Sequence, residues 1–143
     1  MPPADTLDLD PNPDGVAQAL GWLEHLAERD GWTPRQQQGL MLALDEAVTN
    51  ALMHGLSGQP DPRLRVHHAA DADAIRVVLE DNGAPFDPTQ VPPPPPVLDL
   101  DSLAVGGRGI LLMKRVVSHL RYTRTPEGWN RLTLSIDRQP PAA

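Results

Sequence analysis

Between residues 40 and 55 the chain reads LMLALDEAVTNALMHG, and Leu40, Ala43, Leu44, Ala47, Val48 and Ala51 recur at three- and four-residue steps. That spacing gathers them into one apolar stripe, as in a helix that lies on a core. Glu46 and Asn50 are four residues apart, so they fall one above the other on the flank of the stripe. Asn is a poor helix-interior residue because its side chain competes for backbone hydrogen bonds. The two polar residues are either a half-exposed edge or a pair aimed into a pocket, and this helix alone leaves both readings open. Thr33-Pro34 predicts where the helix begins, with Thr33 as N-cap and Pro34 at the first helical position, where its missing N–H costs nothing. The helix is expected to reach His54, with Gly55 supplying a left-handed stop.

Elsewhere the periodicity predicts short, alternating elements. Val16, Ala19, Leu20, Leu23, Leu26 and Ala27 place an earlier helix over 16–29, with Asp14 as its N-cap and Gly31 near its stop. Leu64, Val66 and His68 alternate with Arg63, Arg65 and His67 as in a half-buried strand. A turn at 71–73 leads to a second strand over 74–80, in which Ile75, Val77 and Leu79 share a face, so the two form a hairpin. Ile110, Leu111, Met113, Lys114 and Val117 predict a third helix to about His119, and strands over 120–125 and 131–136 close the chain. Residues 6–10 alternate weakly, as a short edge strand would. Several antiparallel strands with the helices collected on one face make an α+β fold, a two-layer sandwich with a mostly antiparallel sheet.

Composition narrows the field. The 143 residues suit one domain, able to bury about two-thirds of its unfolded surface. One Phe, one Tyr and three Trp leave the core to Leu, Val, Ile and Ala. A net charge of -7 argues against nucleic acid as a partner, because that needs a concentrated basic face. No apolar run is long enough to span a membrane, and the N-terminal residues lack the basic and apolar parts of a signal peptide. The absence of cysteine excludes disulfides, thiolate metal sites and Cys nucleophiles. A cytoplasmic location with no membrane association is the expectation.

Three further stretches carry candidate chemistry. Asp81 continues the parity of Ile75, Val77 and Leu79, which puts a carboxylate at the end of a core-facing row, where it is costly without partners. Asp81-Asn-Gly83 is either a simple turn or an acceptor for an amine such as the exocyclic nitrogen of adenine. Gly106-Gly107-Arg108-Gly109 stands at a loop-to-helix junction, where glycines let a phosphate approach backbone N–H groups. It lacks the Gly-Lys-Ser/Thr of a P-loop and the third glycine of a dinucleotide fingerprint, so alone it is a weak signal. Between these two stretches, 84–105 shows no periodicity and holds seven prolines, five of them consecutive at 92–96. A loop of that length in a small domain is either functional or an inert insertion. No His-Glu-x-x-His pair supports zinc hydrolysis. His67 and His68 are expected at the surface, and Arg121 with Arg124 on a solvated strand edge.

Taken in order, the helix with Glu46 and Asn50, the strand ending in Asp81-x-Gly83, the long loop and the Gly-Gly-x-Gly helix start resemble the GHKL (Bergerat) ATP-binding fold. Histidine kinases, gyrase-type topoisomerases and Hsp90 share that fold. DEAVTNALMHG, EDNGAPFDP, GGRGILLM and RLTLSI look most like the small anti-sigma-factor serine/threonine kinases of the RsbW/SpoIIAB type. The resemblance implies a domain over 14–137, with 1–13 as an arm or edge strand, 84–105 as an ATP lid and 138–143 as a tail. It implies ATP or ADP with Mg²⁺: Asn50 as the metal ligand, Glu46 as the catalytic base, Asp81 and Gly83 at the adenine, and Gly106, Gly107, Arg108 and Gly109 at the phosphates. The implied partners are an anti-anti-sigma STAS-domain protein, which receives the phosphoryl group on serine, a sigma factor that is sequestered, and a second copy in a homodimer. A non-catalytic, nucleotide-gated interaction module of the same fold is the alternative. One departure concerns the start of the last strand, where the family often has a Thr supporting the adenine contact. Here the chain reads Trp129-Asn130-Arg131, and no role is assigned to it.

Overall fold

The computed structural model describes residues 5–91 and 108–139. Its first helix, α1 (Asp14–Asp30), stops at Gly31 as expected, with that glycine in the left-handed conformation. Its start differs from expectation: Asp14 is already helical, and the Asn12 side chain accepts the Asp14 N–H at 2.8 Å. The second helix, α2 (Pro34–Asn50), opens on a full capping box. Thr33 Oγ1 accepts from the Gln36 N–H at 3.2 Å, and Gln36 Oε1 accepts from the Thr33 N–H at 2.8 Å. Every member of the predicted stripe, from Leu40 to Ala51, is buried.

The end of α2 departs from the prediction. The chain does not stop at a left-handed Gly55; it widens into a π-helical turn, Ala51–Gly55, and none of the three positive-φ glycines among the described residues is Gly55. Such turns often mark functional sites. The reason here lies in what Gly55 touches, described below.

Five strands follow or precede these helices: β1 (Thr6–Leu9), β2 (Leu64–Ala70), β3 (Ala74–Asp81), β4 (His119–Arg124) and β5 (Asn130–Asp137). A third helix, α3 (Arg108–Val116), precedes β4 and stops three residues earlier than the periodicity suggested. The sheet runs β1-β2-β3-β5-β4 with every neighbour antiparallel. One face carries Val66, Ile75, Val77, Leu79, Leu134 and Ile136 against Leu23, Leu26, Leu40, Leu44 and Met113 of the helices. Each fully buried Leu or Ile contributes about 2 kcal/mol by leaving water. Among the described residues the helices cover one side of the sheet, as in the expected α+β two-layer sandwich.

The opposite face is polar. Cross-strand register lines up Arg65, Glu80 and Arg131. Glu80 is only 1% exposed there, accepting from Arg65 Nε and Arg131 Nε at 2.9 Å each and contacting His67 Nε2. Burial alone would raise the Glu80 carboxyl; the bonds from Arg65, His67 and Arg131 outweigh it and hold the group below its ordinary range. His68, on the helix side, is not at the surface as expected. Its side chain is 5% exposed, beside the Trp32 ring, and Nδ1 lies 3.1 Å from Asp5 Oδ1.

Candidate functional site: a carboxylate pocket between α2, β3 and β5

Strand parity carries Asp81 to the helix side of the sheet, where it is 5% exposed at the end of β3. Its register partner across β5 is Asn130, in phase with Leu132, Leu134 and Ile136 and 4% exposed. Asn130 Nδ2 donates to Asp81 Oδ1 at 3.0 Å, and the Gly83 N–H donates to the same oxygen at 2.9 Å. No hydrogen bond among the described residues uses Asp81 Oδ2. Burial raises the Asp81 carboxyl above its ordinary range, against the opposing pull of Asn130, the Gly83 N–H and the Arg124 charge. The Asp81-Asn-Gly83 stretch is therefore more than a turn: it holds a carboxylate inside the fold with one oxygen uncommitted.

Two glycines make room for it. A Cβ on Gly55 would stand 2.9 Å from Asp81 Oδ1, and one on Gly83 would overlap the Gly55 carbonyl. The end of α2 thus butts directly against the β3 turn, and the Ala84 N–H donates to the Gly55 carbonyl at 2.8 Å. This close approach, rather than a left-handed stop, is what position 55 requires of glycine.

From the α2 side, Ala47, Asn50 and Ala51 meet Leu79 and Asp81 in a pocket closed by Phe86 and Tyr122. The Phe86 ring stacks on His54 with centroids 4.6 Å apart. Asn50 Nδ2 is buried with no hydrogen-bond partner among the described residues. A buried amide left unpaired costs free energy, and a ligand oxygen in the pocket would relieve it. Glu46, one turn earlier, is half-buried; burial, and then the neighbouring Asp45 charge, raise its carboxyl above the ordinary range. Its carboxylate lies against the backbone of Gly109, so closely that a Cβ there would overlap it. The structure therefore brings Glu46, Asn50, Asp81, Gly83 and Gly109 to one region, between the end of α2, the end of β3 and the start of α3. Gly106, Gly107 and residues 92–105 of the expected lid lie outside the described residues, as does the Arg108 side chain.

Residues without an assigned role complete the site. Arg124 is exposed on the edge strand β4, as expected, yet its guanidinium also reaches the site: Nη1 donates to the Gly83 carbonyl at 2.8 Å and to Asn130 Oδ1 at 3.1 Å. Asn130 Oδ1 also accepts from Tyr122 Oη at 2.5 Å and from the Phe86 N–H at 3.3 Å. The signal for Asn130 was present in its parity, a polar residue in step with three core residues, the same signal that singles out Asp81. Tyr122 and Arg124 carried no comparable signal, since their roles come from β4 pairing with β5.

Fold and site together define a two-layer α+β domain with a carboxylate-floored pocket under a helix that carries a Glu and an Asn on successive turns. A family model for the histidine kinase-like ATPase domain matches residues 9–136, and the chain belongs to that family. Serine/threonine-protein kinase BtrW of Bordetella bronchiseptica is 36% identical over 136 residues, covering 95% of each chain. Serine-protein kinase RsbW of Listeria monocytogenes is 27% identical over 120 residues, 81% of this chain and 76% of that one. Among solved structures, the RsbU and RsbW domains of a Mycobacterium tuberculosis protein superpose with a TM-score of 0.62 at 18% identity, over 92% of this chain and 32% of that one. A histidine kinase domain from Erythrobacter litoralis gives 0.55 at 16% identity, over 85% and 60% respectively. These two likenesses concern the fold. Among the described residues no helix is long and apolar enough to cross a membrane.

Proposed function

We propose that this protein is an ATP- and Mg²⁺-dependent serine kinase that acts as an anti-sigma regulatory factor. The observation that carries the reading is the placement of Glu46 and Asn50 on successive turns of α2, with Glu46 against the start of α3 and Asp81 flooring the adjoining pocket. Asp81 Oδ2 accepts the exocyclic amine of adenine. Leu79, Phe86 and Tyr122 supply the apolar walls of the base pocket. Asn50 would hold Mg²⁺ through its amide oxygen, since this hard ion takes few protein oxygens. Bound there, the ion would supply charge neutralisation for the phosphates.

Glu46 takes the proton of an incoming serine hydroxyl as its oxygen bonds to the γ-phosphorus and the bond to the β-phosphate oxygen breaks, releasing ADP. A partly desolvated carboxylate with a raised pKa is a stronger base than one in water, which suits this role. The backbone of Gly109, and of Gly106 and Gly107 before it, offers N–H groups to the phosphates at the positive end of α3. The acceptor is a serine of an anti-anti-sigma STAS-domain protein, and nucleotide state sets the balance between that partner and a sigma factor. On this reading residues 14–137 are the ATP-binding unit with 84–105 as its lid, working in the cytoplasm as a homodimer.

Transfer of labelled γ-phosphate from Mg-ATP to a purified STAS partner tests the proposal. Glu46→Gln is expected to keep Mg-ADP affinity and lose at least about 100-fold in transfer rate. Transfer by Glu46→Gln at the wild-type rate would remove Glu46 as the base. Tight binding of Mg-ATP and partner with no labelled serine in the wild type would establish the non-catalytic module instead.

A further inference from the structure

Asn130 makes more hydrogen bonds than its place at the first position of a strand demands. Its two amide protons go to Asp81 Oδ1 at 3.0 Å and to the Ala84 carbonyl at 2.8 Å. Its oxygen accepts from Tyr122 Oη, Arg124 Nη1 and the Phe86 N–H. A carboxamide has two donors, and both are committed, so Asn130 has none left with which to read a ligand. It acts on other groups. Asp81 Oδ1, already holding the Gly83 N–H, is filled by the Asn130 donor, which leaves Oδ2 as the acceptor facing the pocket. Ala84 and Phe86, bonded to the same amide, are the first residues beyond the β3 turn, where the long segment toward α3 begins. Phe86 also walls the pocket and stacks on His54.

We propose that Asn130 is a positioning residue that orients Asp81 for adenine recognition and, through the same amide, ties the root of the segment after β3 to the β4–β5 hairpin. The inference rests on the adenine-nucleotide reading of the pocket given above. It goes beyond that reading by making base selectivity and the order of residues 84–86 depend on one side chain that does not touch the base. An Asp81 carboxylate freed from Asn130 keeps only the Gly83 N–H, turns about its own side-chain torsion out of line with the base, and so gains less from a base that offers an amine there over one that offers a carbonyl.

Calorimetric titration of the whole chain with Mg-ADP and Mg-GDP, combined with hydrogen exchange at residues 84–86, tests this. The wild-type titration comes first. Absence of Mg-ADP binding would overturn the pocket reading and with it the inference; binding by wild type leaves the variants to decide the inference alone. Asn130→Ala is expected to weaken Mg-ADP by roughly 10- to 100-fold, to shrink the preference for Mg-ADP over Mg-GDP by a similar factor, and to speed exchange of the Phe86 amide. Asn130→Thr keeps one donor for Asp81 but is too short to hold Ala84 as well. It should restore most of the base preference and leave the Phe86 amide fast. This variant also carries the test if Asn130→Ala does not fold.

Asn130→Asp supplies a readout that loss of packing would not move. Among the described residues, the polar and charged groups around Asp81 are Arg124 and Tyr122 from β4, Asn130 from β5, Asn50 at the end of α2 and the Gly83 N–H, and Arg124 is the cation whose charge bears on it. A second carboxylate against Asp81 raises the pH at which Mg-ADP binding is half lost, because like charges hold a shared proton. Wild-type base preference in Asn130→Ala, an equal loss of Mg-ADP and Mg-GDP affinity, or an unmoved pH midpoint in Asn130→Asp would each overturn the proposal.

Discussion

The Glu46 carboxylate packs against the Gly109 backbone at the start of α3, so that a Cβ at position 109 would overlap it unless Glu46 swings away. The two residues lie 63 positions apart in sequence, yet the seat of one is set by the other. A glycine that looks like part of a phosphate-binding loop is, on the α2 side, the surface against which a carboxylate is held.

Gly109→Ala is therefore expected to displace Glu46 or the first turn of α3. Serine phosphorylation of a STAS partner should fall by about 100-fold, the cost of small misplacements at a reacting centre. Adenosine, which has no phosphates, should bind as it does to wild type, because the Asp81 end of the pocket is untouched. Isothermal titration with adenosine and with Mg-ADP separates the two effects; equal loss of both would contradict this placement of Gly109.

Asp81→Asn should separate stability from function. Burial raises the Asp81 carboxyl, so the folded state holds that proton more tightly than the unfolded state does. The sign follows: Asp81 costs stability as pH rises from its unfolded-state value through its folded-state value, and the cost is full above the latter. An amide in its place keeps an oxygen for Asn130 and for the Gly83 N–H without the buried charge. Thermal unfolding at neutral pH should be unchanged or higher in Asp81→Asn, while Mg-ADP affinity falls by about 100-fold. A variant that unfolds at a much lower temperature would show that the charge itself supports the β3 turn.

At the other end of the hairpin, Asp71 predicts an acid-sensitive element remote from the pocket. Its carboxyl accepts from Arg76 and from the N–H groups of Asp73 and Ala74, which together lower it from 3.8 to about 2. A lowered folded-state value contributes stability that is present above the unfolded value and is lost as pH falls toward the folded one. Wild type should lose stability between 3.8 and about 2 more steeply than Asp71→Asn, as read from unfolding temperatures in that window. Parallel curves for the two proteins would rule out this contribution.

The elements that periodicity placed well are those whose determinants lie within a few residues. The α2 stripe, the Thr33 cap, the Gly31 stop and the β2–β3 hairpin all rest on local spacing or on backbone groups one turn away. Asp81 was legible for the same reason: its parity follows from the five residues before it. Asn130 had the same inward parity but no reading attached to it, because its meaning depends on facing Asp81 across two strands far apart in sequence. His68 showed the opposite failure. Alternation placed it on a strand, but only the packing of Trp32 and Asp5 around it determined that it is buried.

By itself the sequence determined which segments form helices and strands, which face of each is apolar, and that Glu46 and Asn50 share one side of a helix while Asp81 points inward. Those are consequences of helix and strand geometry acting along a single stretch of chain. Only the tertiary structure decided that β5 lies between β3 and β4, that α2 ends in a π-helical turn so that Gly55 meets Gly83, and that Asn130 fills one oxygen of Asp81. These rest on contacts between segments 28 to 63 positions apart, where close packing and the need to satisfy buried polar groups override the local preference for an ordinary helix stop.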